Sequence, residues 1–220
     1  MSNYWDSNFL KHLSINDIKI VFEVGARYGD ETIELKKIFQ NSNIHSFECN
    51  PKTVDTCYKK LSLNDNIIFN NIALGDKEKT LPFYSYIHNN DGASSFLKRI
   101  DFDKTQIQSG IIKMITLENY MKINNINKID ILCMDVQGYE LNVLKGAADL
   151  IKNINYIIME EPKSIINTQY LPDGIHSKYI NAPSSKEIKE FMEQNNFIEI
   201  QRVDENKIED NVMYKNKNIN

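Results

Sequence analysis

Residues 18–29 read Ile18-Lys19-Ile20-Val21-Phe22-Glu23-Val24-Gly25-Ala26-Arg27-Tyr28-Gly29. The run 18–24 is short, almost purely apolar and bounded by Gly25, as expected of a strand buried on both faces of a parallel sheet. Glycines at 25 and 29 let the backbone turn sharply and approach a ligand closely. Asp30 then reads as the cap of a helix that turns Ile33, Leu35, Ile38 and Phe39 toward the sheet.

The same alternation continues outward. Residues 44–48 form a second strand, and Asn50-Pro51 reads as cap and first residue of a helix carrying Val54, Cys57, Tyr58 and Leu61. Residues 66–74 give a third strand ending at Gly75-Asp76. Residues 129–135 give another, followed by a helix with Leu141, Leu144, Ala148 and Ile151 on one face. The strand 156–159 is stopped by Glu160-Glu161-Pro162. Ser184 and Glu187 have capping-box spacing and open a helix running to about Asn196. Segments 197–202 and 212–215 read as a closing antiparallel pair. Strands alternating with helices predict an α/β fold, a mostly parallel sheet with helices on both faces. Two long segments, 85–112 and 163–183, interrupt the pattern and read as functional or lid-like loops.

A chain of 220 residues suits one substantial domain. Residues 1–17 are read as an N-terminal arm or short helix and 18–220 as a single domain. In the arm, Tyr4, Trp5, Phe9, Leu10 and Leu13 fit a packed arm, a pocket cover or a homodimer contact. With 41% hydrophobic and 25% charged residues the composition is that of a globular protein. The net charge is only -4 and no basic stripe is visible, which disfavours a nucleic-acid partner. No apolar run approaches the ~20 residues that span a bilayer, and residues 1–11 do not resemble a secretory signal. The expectation is a cytoplasmic chain without a membrane partner. Cys49, Cys57 and Cys133 show no metal-binding spacing, and the two in predicted strand or helix positions read as small buried side chains.

Ligands of such sheets bind beyond the carboxyl ends of the strands, so the residues just after each strand are informative. The turn is G-x-x-x-G and lacks the middle glycine that brings a pyrophosphate against the helix. Glu48, ending the second strand, is placed to accept hydrogen bonds from both hydroxyls of a ribose. Together these indicate a nucleoside-containing cofactor. Glu23 beside the turn would repel a pyrophosphate but suits the ammonium end of a methionine moiety, which favours S-adenosylmethionine (SAM) over a dinucleotide.

The stretch Met134-Asp135-Val136-Gln137-Gly138-Tyr139-Glu140 ends another strand and starts its helix. Asp135 points into the expected cleft, whereas Glu140 serves equally well as a helix-dipole partner. Of Glu160 and Glu161, side-chain alternation turns one into the cleft. Asp135 with one of them offers oxygen ligands for Mg²⁺ or Mn²⁺, and nothing supports zinc. His176, in the segment 163–183, is the one histidine nominated as a base. The catalytic candidates are thus Asp135, Glu161 and His176.

The combination resembles the FkbM family of class I SAM-dependent methyltransferases over roughly residues 20–162. It rests on VFEVGARYGDET, HSFECNP, NNIALGD, Ser94-Ser95, ITLENYM, and ILCMDVQGYELNVLKGA followed by IIMEEP. The resemblance implies a Rossmann-like seven-stranded sheet with an antiparallel last strand, and methyl transfer from SAM to an oxygen acceptor. Carried over by position, Glu23, Gly25 and Gly29 line the methionine end, and Ala26, Tyr28 and Asp135 also count as cofactor-binding. Glu48 takes the ribose, and Ile72 and Ala73 the adenine. The chain departs from the common pattern at Glu23 (Asp is usual), Arg27 (often Asn) and Gln137 (often Glu).

The leading expectation is O-methylation of a hydroxyl on a small molecule or glycan. The sulfonium methyl is already activated, so the protein must position the acceptor and take its proton. The alternatives are a nicotinamide-dependent oxidoreductase, an amino-methyltransferase acting on bases, and an inactive SAM-binding or assembly module. The missing middle glycine counts against the first. The absent proline-aromatic run at Asp135 counts against the second. Gln137 and Arg27 motivate the third.

Overall fold

A computed structural model describes residues 7–86, 91–100, 106–163 and 177–219. The strands are β1 (Ile20–Val24), β2 (Asn43–Phe47), β3 (Ile67–Asn70), β4 (Ala73–Gly75), β5 (Lys79–Tyr86), β6 (Gln106–Thr116), β7 (Ile129–Met134), β8 (Ile154–Pro162), β9 (Phe197–Asp204) and β10 (Glu209–Asn216). The helices are α1 (Ser7–Leu10), α2 (Asp30–Ile38), α3 (Val54–Leu61), α4 (Leu117–Ile123), α5 (Glu140–Lys145) and α6 (Ser185–Gln194). Seven strands form one sheet in the order β3-β2-β1-β7-β8-β10-β9. All neighbours from β3 to β8 pair in parallel, and β10 runs antiparallel to both β8 and β9. This is the seven-stranded, mostly parallel sheet with a reversed last strand that the sequence resembles.

Strand alternation sorts the core into two faces. On one, Phe22, Val24, Leu132, Ile157 and Met159 pack against Leu117 and Met121 of α4, Leu144 of α5 and Met192 of α6. On the other, Val21, Ile131, Cys133 and Ile158 meet Leu35 of α2, Phe39, and Phe9 of α1. Phe9 is fully buried, so this part of the arm is packed; Tyr4 and Trp5 lie outside the described residues. Among those residues no helix is long and apolar enough to cross a membrane. The three cysteines are free; Cys57 and Cys133 are buried, whereas Cys49 is only half-buried.

Five local expectations change. Asn50-Pro51 is not the cap and first residue of α3, which begins at Val54 after Thr53. The single strand expected over 66–74 is two: β3 stays in the main sheet, and β4 leaves it to pair with β6. The segment 85–112, read as a loop, supplies the end of β5 and much of β6, which pair antiparallel and complete a second, three-stranded sheet. Asp30 is the first helical residue rather than the cap; Gly29 caps α2 at φ +78°. The helix expected over Leu141–Ile151 ends early, and a 3₁₀ turn covers Ala148–Asn153. Gly146 lies between them, and a Cβ there would sit 2.0 Å from the carbonyl oxygen of Gly75. That contact lets the small sheet reach α5. The capping box at Ser184 and Glu187 forms as expected.

Candidate active site

The strand order places the carboxyl ends of β2, β1, β7 and β8 side by side. Glu48 follows β2, Gly25 follows β1, Asp135 follows β7, and Glu160 lies near the end of β8. With parallel strands about 4.8 Å apart, this row spans roughly 14 Å. A cavity of about 230 Å³ runs along it, and all four residues line it.

The turn after β1 is held by its neighbours. Gly25 N–H and Ala26 N–H both donate to the Phe47 carbonyl at 3.0 Å, and Asp135 N–H donates to Val24 O at 3.0 Å. Gly25 has φ +99°, and a Cβ on it would lie 2.0 Å from the Asp135 carbonyl oxygen. Glycine is therefore required by conformation and by space. Gly29 is a packing residue instead: a Cβ there would meet Leu61 at 2.9 Å, and Gly29 does not line the cavity. Ala26 is likewise buried against Cys57 and Leu61. Tyr28 turns its hydroxyl to Asp91 as a donor at 2.6 Å. Of these turn residues, Gly25 lines the cavity, whereas Ala26, Tyr28 and Gly29 do not.

Glu48 is only 7% exposed and accepts backbone N–H bonds from Arg27 (2.5 Å), Cys49 (2.7 Å) and Asn50 (2.6 Å). Burial pushes its pKa up to about 7, against those three donors. Ile72 and Ala73 line the same cavity. Glu23 does not: its carboxylate accepts from the Thr32 hydroxyl, with Ser46 Oγ at 3.4 Å, and burial raises its pKa to about 8.

Asp135 lines the cavity, and the Gln137 amide donates to it and to Glu160 Oε2 at 3.2 Å. Glu140 accepts from Val136 N–H (3.0 Å) and Gly138 N–H (3.3 Å), so it braces the turn. Glu161 does not face the cavity. It shares a sheet face with Ile157 and Met159, is 0% exposed, and accepts from Tyr214 Oη (2.5 Å) and Arg202 (3.0 Å). Strand alternation assigns the cleft to Glu160, which corrects the nomination of Glu161. His176 lies outside the described residues. The expected Mg²⁺ or Mn²⁺ site is not supported. Among the described residues no three His, Cys, Asp or Glu are grouped to hold a metal, and an amide donor stands between Asp135 and Glu160.

Several cavity residues were not nominated from sequence. Arg27 has φ +52°, and its Nε is buried without a hydrogen-bond partner. Glu31 lies one residue into α2, with its pKa raised to about 7 by burial and by Asp135. Asn50 and Ser94 bond each other at 3.2 Å across the cavity wall. The Ser94-Ser95 pair carried part of the family resemblance and was a usable signal. For Glu31, nothing local distinguishes it from a solvated helix residue.

Comparisons with known proteins bear on the family and the fold. The profile of the Methyltransferase FkbM domain matches residues 23–199. Comparison with curated proteins returns no match. Among solved structures, a SAM-dependent methyltransferase from Aquifex aeolicus aligns with TM-score 0.53 and 14% identity, over 94% of this chain and 87% of that one. Methyltransferase FkbM from Methylobacillus flagellatus KT aligns with TM-score 0.56 and 12% identity, over 98% of this chain but only 48% of that one. The SAM-bound fibrillarin of Aeropyrum pernix aligns with TM-score 0.52 and 13% identity, over 94% of this chain and 72% of that one. At these identities the structures speak for the fold, and the profile, covering most of the chain, speaks for the family. The chain belongs to the FkbM family of SAM-dependent methyltransferases.

Proposed function

We propose that the protein transfers the methyl group of SAM to a hydroxyl of a sugar, glycan or small metabolite. The observation that carries this reading is the single cavity running from Glu48 to Glu160 across four strand ends. Its residues fit the donor. Glu48 lines the β2 end, where a carboxylate suits a ribose diol, and the apolar Ile72 and Ala73 suit a purine face. Arg27 Nε, buried and unpartnered, lacks an acceptor that the methionine carboxylate would supply. When bound, SAM supplies an activated methyl group.

At the other end, Asp135 and Glu160 are available to orient a hydroxyl and receive its proton. Glu160 and Glu205 line that end, which suits a neutral hydroxyl acceptor better than a phosphate and speaks against a nucleic-acid partner. Asp135 keeps its candidacy as a positioning group or base.

The test is calorimetric titration with SAM, followed by an acceptor screen over sugars and small hydroxyl metabolites. Product is read by mass as a methyl ether, with S-adenosylhomocysteine formed in equal amount. Loss of turnover in Asp135→Ala with SAM affinity kept supports the reading. Methylation found only on amine nitrogens would overturn the choice of oxygen.

A further inference from the structure

We infer that Glu160 is the group that takes the proton from the acceptor hydroxyl, held in place by Gln137 and Tyr179, and that it sheds its own proton when the cationic methyl donor enters the cavity. This rests on the methyl-transfer reading above and adds to it an identified base and a proton path.

The geometry around Gln137 is over-determined. Its backbone is at φ +54°, a conformation a non-glycine residue keeps only where its surroundings hold it. They do. Ser95 Oγ donates to its carbonyl at 2.8 Å, and Tyr179 Oη donates to its Oε1 at 2.5 Å while lying 3.1 Å from the Ala93 carbonyl. Ser95 and Tyr179 come from the two long segments of the chain. Those segments are joined by backbone bonds from Ile100 N–H to Lys178 O and from Ile180 N–H to Lys98 O, both 2.8 Å. Tyr179 is 3% exposed, so its hydroxyl is committed. The consequence is that the Gln137 amide is aimed at Asp135 and Glu160 together.

Charged groups face Glu160 from several elements. Asp135 follows β7, Glu140 starts α5, Glu209 starts β10, and Lys178, bonded to Glu209 at 2.8 Å, is the cation. Burial first, then Asp135, Glu209 and Glu140, hold the Glu160 carboxyl well above its ordinary range, with Lys178 opposing. Without a ligand, Glu160 therefore holds its proton to higher pH than an ordinary carboxyl. A sulfonium cation close by favours ionisation and expels that proton.

The transfer then balances. The acceptor oxygen forms a bond to the methyl carbon, and the carbon–sulfur bond breaks with its pair left on sulfur. The hydroxyl proton passes to a Glu160 oxygen. The positive charge lost from sulfur is replaced by a proton on the carboxylate, so the cavity's net charge is unchanged.

The test needs no acceptor. The chain is titrated with SAM and with S-adenosylhomocysteine at several pH values between 5 and 8, in buffers of different ionisation heat, to count protons released on binding. Wild type is expected to release more protons per SAM than Glu160→Gln somewhere in that range, and both should behave alike with S-adenosylhomocysteine. Comparing the two proteins cancels any proton change on the ligand itself. Tyr179→Phe frees Gln137, and an amide donating to a carboxylate favours its ionised form. The midpoint of the linked proton is therefore expected to move to higher pH in that variant. A merely structural Tyr179 would lower stability and leave the midpoint in place.

Equal proton release by wild type and Glu160→Gln, with S-adenosylhomocysteine still bound, overturns the inference alone. Failure of wild type to bind SAM overturns the methyl-donor reading as well. If Glu160→Gln binds neither ligand, Tyr179→Phe decides: an unmoved midpoint overturns the inference.

Discussion

Gly25 and Asp135 touch through their backbones: a Cβ on Gly25 would lie 2.0 Å from the Asp135 carbonyl oxygen, at φ +99°. The contact fixes the distance between the turn after β1 and the end of β7, which are the centre of the cavity. Gly25→Ala must both move that carbonyl and strain the backbone. It is expected to cost at least about 2 kcal/mol of folding stability and to abolish measurable SAM binding. Urea unfolding and calorimetric titration check the two effects separately.

Glu48 sits among three N–H donors at the β2 end. Glu48→Gln retains the shape but loses the charge and one set of acceptors, and its amide N–H₂ faces those donors. SAM affinity is expected to fall by at least about tenfold, of the order of one charge-assisted hydrogen bond. An affinity within twofold of wild type in a fluorescence or calorimetric titration would remove Glu48 from the ribose.

Stability of the ligand-free chain should fall as pH rises from about 6.5 to 8. Glu48 and Glu31 are raised to about 7, and Glu23 and Glu140 to about 8. In this window the folded state binds more protons than the unfolded state, so the slope of stability with pH is negative. His45, lowered to about 4 by burial, has the opposite sign but acts only below its unfolded value near 6.5. Thermal unfolding across pH 6–8.5 reads the slope, and Glu23→Gln should make it shallower. A midpoint that rises throughout would contradict the assignment.

Arg202 bonds the buried Glu161 at 3.0 Å and Asp210 at 3.1 Å, away from the cavity. Arg202→Met leaves a buried carboxylate without its cation, although Tyr214 still donates to it. With Arg202 partly exposed, the expected loss is about 1–3 kcal/mol in stability. SAM affinity should stay within about twofold. Chemical denaturation paired with titration separates this structural acid from Glu160.

The main sheet was legible because buried parallel strands must be nearly continuous apolar runs. Residues 18–24, 129–135 and 156–159 announce themselves that way, and Ser184 with Glu187 marks a helix start through its own hydrogen bonds. β5 and β6 did not, because their sheet is half exposed and alternates with Lys, Gln and Ser; Ile111, for example, is exposed. The continuous run before Glu160-Glu161 likewise hid which residue faces inward, since an all-apolar strand has no readable phase.

By itself the sequence determined the element order, the glycine turn and the carboxylate at the β2 end, because each follows from short-range constraints on backbone and strand burial. Only the tertiary structure decided how the turn is divided between lining and support, with Gly25 against Asp135 and Gly29 against Leu61. It also turned Glu160 rather than Glu161 into the cavity and brought Ser95 and Tyr179 onto Gln137. These are contacts between segments far apart in the chain, fixed by sheet order and packing, and no local pattern encodes them.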